Sequence, residues 1–103
     1  MAVYYSPIMN MESFEWDPEK DLKNQSKHDV SFAEAQLAFK DPNRLFYIDK
    51  THSQVEQRYF CLGSVNGEIM TVRFTFRDQV FRIIGAGYWR KGKKIYEKEN
   101  QIQ

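Results

Sequence analysis

The residues best suited to take part in a reaction are a histidine, a glutamate and three arginines. His28 follows Lys27, and His28 and Glu56 are side chains that can accept or donate a proton. Guanidinium groups bind phosphate and stabilise developing charge; the candidates for this are Arg58, Arg82 and Arg90. Because the 2′-hydroxyl of RNA can attack the adjacent phosphate, such a set could cut RNA without a metal ion.

A second group of residues suits contact with an RNA chain. Tyr88 and Trp89 precede Arg90, and aromatic faces beside a cation are typical of sites that stack single-stranded bases. The alternative is that Tyr88 and Trp89 anchor the last helix by packing. The basic residues expected along the RNA backbone are Lys27, Arg73, Arg77, Lys93 and Lys94.

Other chemistries find weaker support. His52 lies four residues before Glu56 and near Asp49, a spacing that could form part of a metal site but lacks further ligands. Cys61, the single cysteine, falls at a core-facing strand position and is expected to pack rather than react. Gly85-Ala86-Gly87 lacks the rest of a nucleotide-binding fingerprint. We therefore expect neither a metal nor another cofactor.

The charge of the chain is nearly balanced in total but not along its length. The 103 residues have a formal net charge of +1. Residues 1–57 contain six Lys/Arg and ten Asp/Glu, whereas residues 58–103 contain nine and four. This asymmetry indicates an anionic partner on one side of the molecule.

No apolar run is long enough to cross a membrane. The first eleven residues lack the pattern of a signal peptide, and one cysteine excludes an internal disulfide. A cytoplasmic location is therefore expected. Residues 1–11 show no period and are predicted to be a flexible arm, with 12–103 as a single domain.

The first half of the chain predicts two short helices. Asp17 and Pro18 are suited to begin the first helix, which should end near 27–29 and lie on the surface because it is mostly polar. Ser31 and Glu34 form a capping-box pattern that begins a second helix, and Asp41-Pro42 ends it.

The second half predicts strands and a last helix. Strands are expected at 45–49, 58–64, around 70–76 and at 80–86, because apolar and polar residues alternate and Asn66-Gly67 is a strong hairpin signal. A basic helix should run from Arg90 to about Gln101. The fold class is α+β: two N-terminal helices on an antiparallel meander of about four strands, with a C-terminal basic helix.

The hairpin at Asn66-Gly67 also predicts a strand register. Arg58 should lie opposite Thr75, and a tight turn at 78–79 should place Thr75 opposite Arg82. Arg73 and Arg77 then share the face of this row. Like charges opposed across strands destabilise a sheet, so this face either tolerates the cost in solvent or binds an anion.

The chain resembles the BrnT toxin family in an ordered set of motifs between Phe14 and Glu97. The matching residues are Phe14-Glu15-Trp16-Asp17, Lys20, Asn24, Lys27-His28, Ser31-Phe32, Glu34-Ala35, Phe39, Asp41-Pro42, Asp49, His52-Ser53, Glu56, Arg58, Gly63-Ser64, Gly67, Arg77, Arg82-Ile83-Ile84, Ala86 and Tyr96-Glu97. One departure concerns the site: Gly87 stands where the family usually has an arginine.

The resemblance implies a RelE-like fold and a ribonuclease toxin of a type II toxin–antitoxin pair. Such a toxin cleaves RNA, slows translation and is neutralised by a small BrnA-like antitoxin. It also implies that operator DNA is bound only through the toxin–antitoxin complex, and it leaves a homodimer open. The alternative is a non-catalytic interaction module whose basic face binds an acidic protein or nucleic acid.

Overall fold

The computed structural model describes residues 3–5, 13–52 and 55–101. Their elements, in chain order, are β1 (Val3–Tyr5), β2 (Phe14–Trp16), α1 (Pro18–His28), α2 (Phe32–Ala35), a 3₁₀ helix (Gln36–Lys40), β3 (Leu45–Ile48), β4 (Arg58–Val65), β5 (Glu68–Arg77), β6 (Val80–Gly87) and α3 (Arg90–Glu99). The α+β class is confirmed. Within these ranges, no helix has the length and apolar character needed to cross a membrane.

Helix α1 begins and ends where the sequence predicts. The Asp17 carboxylate accepts a hydrogen bond from the backbone N–H of Glu19, and Asp29 ends the helix in the left-handed conformation. The helix does not pack on a sheet face, however. Its buried Asn24 accepts a hydrogen bond from the backbone N–H of Ala86 and donates to the Ala86 carbonyl oxygen. Helix α1 therefore lies along the open edge of β6, where one amide side chain replaces a neighbouring strand.

The second helix begins where the sequence predicts, but its α-helical part is shorter than expected. Ser31 and Glu34 form the capping box. After Ala35 the chain tightens into the 3₁₀ helix, which crosses β4 at Gly63. Phe32, Ala35 and Phe39 are fully buried, as their shared helix face predicts.

The sheet has the order β1-β3-β4-β5-β6-β2. Strands β3 to β6 form the predicted antiparallel meander, with Arg58 opposite Thr75 and Thr75 opposite Arg82. Both hairpin turns use left-handed residues, at 66–67 and at 78–79. A bulge leaves Ile84 without a partner on β5, so Gly85 pairs with Arg73.

Two strands were not predicted, and one of them, β2, changes the sheet from antiparallel to mixed. Strand β2 pairs parallel to β6, and β1 pairs antiparallel to β3. Each has only three residues, too few to show an alternating pattern. Strand β1 falls within residues 1–11, the segment that the sequence predicts to be an arm. The rest of 1–11 lies outside the described residues.

One face of the sheet, the first face, carries the main core. Phe39 from the 3₁₀ helix lies against Phe46, Phe74 and Phe81, with ring centroids 5.1 to 5.8 Å apart. Cys61 is fully buried in this core, and burial raises the pKa of its thiol well above the usual value. The packing role predicted for Cys61 is confirmed.

The opposite, second face carries the arginines and is only partly open. Helix α3 lies on it and, with Leu45, Tyr47 and Leu62, forms a smaller cluster around Tyr96. The Tyr96 hydroxyl donates to the Asp41 carboxylate at 2.5 Å. Helix α3 covers part of this face, because Tyr96 is buried there and Ile95 packs against the same cluster.

Burial of tyrosine makes the fold sensitive to alkali. Burial, and next the negative charge of Asp49, raise the pKa of Tyr47 from 10.0 to about 12. In the unfolded chain the Tyr47 hydroxyl loses its proton near pH 10, while the folded chain retains it to higher pH. The free energy of unfolding therefore keeps its full value below about pH 10 and falls between about pH 10 and 12. Thermal melts across this range should show the fall, and Tyr47→Phe should weaken it. An equally steep fall in Tyr47→Phe would contradict this assignment.

Candidate functional site

A basic cleft lies between helix α1 and the second face of the sheet. Its volume is about 270 Å³. It is lined by Lys20, Lys23, Asn24, Lys27, His28, Phe60, Arg73, Ile84, Gly85 and Trp89. Four of these are Lys or Arg, and no described lining residue is acidic. Such a concentration of positive charge in a concave surface attracts an anionic ligand.

Two local features build the basic cleft. Lys20, Lys23 and Lys27 lie three and four positions apart on α1, so their side chains share one helix face. The bulge in β6 places Gly85 beside Arg73, where the absence of a side chain leaves the floor of the cleft open. Sequence reasoning predicted Lys27, His28, Arg73 and Trp89, and the structure brings all four together here.

The position of Trp89 at the mouth of the basic cleft depends on the space left by Gly87. A Cβ atom at Gly87 would lie 2.7 Å from the indole ring, so only glycine leaves room for Trp89 in this position. The ring of His28 meets the indole edge-to-face, with centroids 5.0 Å apart. Trp89 remains 43% exposed. The indole therefore fills the space next to Gly87, where the resemblance would place an arginine side chain.

A second cleft of about 590 Å³ adjoins the first and shares Phe60, Arg73 and Trp89 with it. At its far side the Nδ1 atom of His52 lies 3.0 Å from the Asp49 carboxylate. The Nε atom of Arg73 lies 3.7 Å from that carboxylate, and its guanidinium lies over the Phe60 ring.

A third cavity of about 500 Å³ continues from His52 to Glu56 and Arg58. Because neighbouring cavities share residues, we describe the three together as the groove. It runs from the lysines of α1, past Arg73 and His52, to Glu56 and Arg58. His52 was not among the residues predicted for RNA cleavage, because its spacing from Glu56 was considered only for a metal site.

Two arginines of the second face, Arg77 and Arg82, lie close to acidic side chains. Arg82 lies 3.5 Å from Glu15, and Arg77 lies 3.4 Å from Glu56. Glu15 pairs beside Arg82 because β2 adds to the edge of β6. These acidic neighbours reduce the cost of placing like charges opposite one another in the sheet. The pairing of Glu15 with Arg82 was missed because β2 was not predicted.

The remaining predicted residues lie apart from the groove. Tyr88, Arg90 and Lys93 line a further depression of about 590 Å³ between α3 and the β4–β5 hairpin, which meets the groove at Trp89. Lys94 is exposed on α3. The structure thus separates Arg82, Arg90 and Lys94 from His28 and does not gather the predicted catalytic set at one point.

Comparison with known proteins identifies the family of the chain. A family model described as the ribonuclease toxin, BrnT, of type II toxin–antitoxin systems matches residues 16–92. The match includes α1, the strands β3 to β6 and the first turn of α3. Among curated proteins, none matches the chain. The family match covers most of the sequence and confirms the resemblance found in its motifs. The chain belongs to the BrnT family of ribonuclease toxins of type II toxin–antitoxin systems.

Proposed function

We propose that the chain cleaves single-stranded RNA in the groove without a metal ion and thereby inhibits translation. The observation that carries the proposal is the basic cleft, where three lysines of α1 and Arg73 surround a half-exposed tryptophan. Positive charge along one wall suits the phosphates, and an accessible indole suits an unstacked base. Double-stranded nucleic acid would not present a free base to Trp89.

Each part of the groove has a proposed role. Lys20, Lys23 and Lys27 bind the RNA backbone, and Trp89 stacks a base. Arg73, at the centre, neutralises the reacting phosphate. A bound phosphate here competes with Asp49 for the guanidinium, and the 3.7 Å separation in the free protein leaves that contact weak.

The other predicted residues have supporting roles. His28 and Glu56 are candidates for proton transfer at the two ends of the groove, and Arg58 lies beside Glu56. Arg82 and Arg90 lie outside the groove and would contact flanking RNA. The same holds for Arg77, Tyr88, Lys93 and Lys94.

Membership of the family implies an antitoxin partner and an RNA substrate. We propose that the partner is a small BrnA-like protein, that the toxin acts in the cytoplasm, and that operator DNA is bound only through the complex. A homodimer is one assembly this leaves open. An antitoxin could neutralise the toxin by covering the groove, since an acidic segment would occupy the place of the RNA backbone.

The test is cleavage of RNA by purified protein in the presence of EDTA, with and without ribosomes. We expect cleavage that leaves 2′,3′-cyclic phosphate ends. A Lys23→Ala, Lys27→Ala double variant should cut far more slowly, whereas Lys40→Ala, on the 3₁₀ helix, should cut like the parent protein. Well-folded protein that binds RNA or an acidic antitoxin but never cleaves would favour the non-catalytic module.

A further inference from the structure

Asp49 and His52 form a carboxylate–imidazole pair of the kind that transfers protons in enzymes. The Asp49 side chain is only 4% exposed, whereas that of His52 is 47% exposed. One oxygen of Asp49 accepts the backbone N–H groups of Thr51 and His52, at 3.2 and 3.3 Å. The other oxygen lies 3.0 Å from Nδ1 of His52. The carboxylate is therefore fixed by the turn and holds the ring from one side.

This contact decides which ring nitrogen is available. A carboxylate can only accept hydrogen bonds, so Nδ1 of His52 carries the hydrogen and donates it to Asp49. In the neutral ring, Nε2 then has the free lone pair. Asp49 therefore fixes both the orientation of the His52 ring and the ring nitrogen that can accept a proton.

The surroundings of His52 suit a phosphate substrate. Arg73 lies on one side, within the cleft that also holds Trp89, and Arg58 lines the cavity on the other side. His52 lines both cavities, one of them with Arg73 and the other with Arg58. By contrast, the described contacts of His28 are limited to the edge-to-face packing with Trp89.

We propose that His52, positioned by Asp49, is the general base for RNA cleavage; this inference rests on the proposed function. Nε2 of His52 takes the proton of the 2′-hydroxyl as the bond from O2′ to phosphorus forms and the bond from phosphorus to O5′ breaks. Water supplies a proton to the departing O5′, and the imidazolium returns its own proton to the resulting hydroxide. The products are a 2′,3′-cyclic phosphate and a 5′-hydroxyl, so atoms and protons balance.

The experiment compares single-turnover cleavage by the wild type, His52→Ala and Lys40→Ala, each with and without added imidazole. Loss of a general base lowers the rate by about 10²–10⁴-fold. We expect such a loss in His52→Ala, with partial rescue by imidazole, which can enter the vacated space. Binding of a 2′-O-methyl oligonucleotide, which cannot be cleaved, should be nearly unchanged. Lys40→Ala should cleave like the wild type and show no imidazole effect.

Asp49→Asn gives a second measurement for the positioning residue. It keeps the size of the side chain but removes the carboxylate that fixes the Nδ1 hydrogen, so kcat should fall while KM changes little. Because a smaller amount of folded protein would also lower the apparent kcat at constant KM, kcat is referred to the concentration of binding-competent protein, measured by titration with the 2′-O-methyl oligonucleotide.

Three results would overturn the inference. Cleavage by His52→Ala at the wild-type rate would exclude His52 as the base while leaving the proposed function intact. Loss of both cleavage and oligonucleotide binding in His52→Ala, without imidazole rescue, would show a structural or binding role. Absence of cleavage by the wild type would overturn the proposed function and this inference with it.

Discussion

Replacing Gly63 by alanine is expected to prevent stable folding. A Cβ atom at Gly63 would collide with the backbone carbonyl of Ala38, and it would lie 2.7 Å from the carbonyl carbon and 2.8 Å from the Cα atom. The obstacle is backbone, so no side-chain rotation relieves it. The 3₁₀ helix would have to lift from β4, taking Phe39 out of the centre of the main core.

The expected loss is about 4 kcal/mol or more, a large share of the roughly 5–15 kcal/mol that stabilises a typical domain. Chemical denaturation monitored by circular dichroism measures it. Gly85→Ala is the matched control, because its Cβ atom would meet only the Asn24 side chain, at 3.9 Å. Alanine is tolerated there. Similar stability in the two variants would show that the 3₁₀ helix does not pack on Gly63 as described.

Replacing Arg73 by alanine is expected to cause the largest loss of activity among the cationic residues of the groove. Arg73 is the one described cation that lines both the basic cleft and the cleft holding Asp49 and His52. Removing a group that stabilises transition-state charge typically lowers the rate by about 10²–10³-fold, or roughly 3–4 kcal/mol. Single-turnover cleavage of a short RNA measures this loss.

Two companion variants separate charge from geometry. Arg73→Lys keeps the charge but loses the paired donors, so it should recover only part of the rate. Lys40→Ala should have no effect. The guanidinium also covers the Phe60 ring, so thermal melts must show that Arg73→Ala remains folded. A folded Arg73→Ala protein with wild-type cleavage would remove Arg73 from the reaction.

The sequence predicted the parts of the fold that have strong local signals. Caps defined the start of α1 and of the second helix, and two tight turns set the register of Arg58, Thr75 and Arg82. The three-residue strands β1 and β2 have no such signal, since they exist only through pairing with β3 and β6. The omission of β2 hid the pairing of Glu15 with Arg82, so the second face was expected to be more positive than it is.

The composition of the groove was harder to predict than its charge. Lys27, His28, Arg73 and Trp89 were each selected from their types, but nothing local placed α1 against β6. That contact depends on Asn24, whose hydrogen bonds to Ala86 span 62 positions. The Asp49–His52 pair was missed as a proton-transfer pair because its partners Arg73 and Arg58 come from other strands.

Trp89 also explains how the chain accommodates its most evident departure from the family pattern. Gly87 has no side chain, and the indole lies over it instead. The position therefore offers a stacking surface in place of a guanidinium. The positive charge in this part of the molecule comes from Arg73 and the lysines of α1, the residues proposed to bind phosphate.

RNA is proposed to bind in the groove on the second face, and the two tryptophans of the chain test this binding directly. Trp89 lies in the groove, whereas Trp16 packs against Phe32 and the main core of the first face. The measurement is the NMR shift of each indole N–H during titration with a single-stranded 2′-O-methyl oligonucleotide. A saturable shift of the Trp89 signal, with Trp16 unmoved, is the predicted result. Saturable binding that leaves Trp89 unmoved would contradict it.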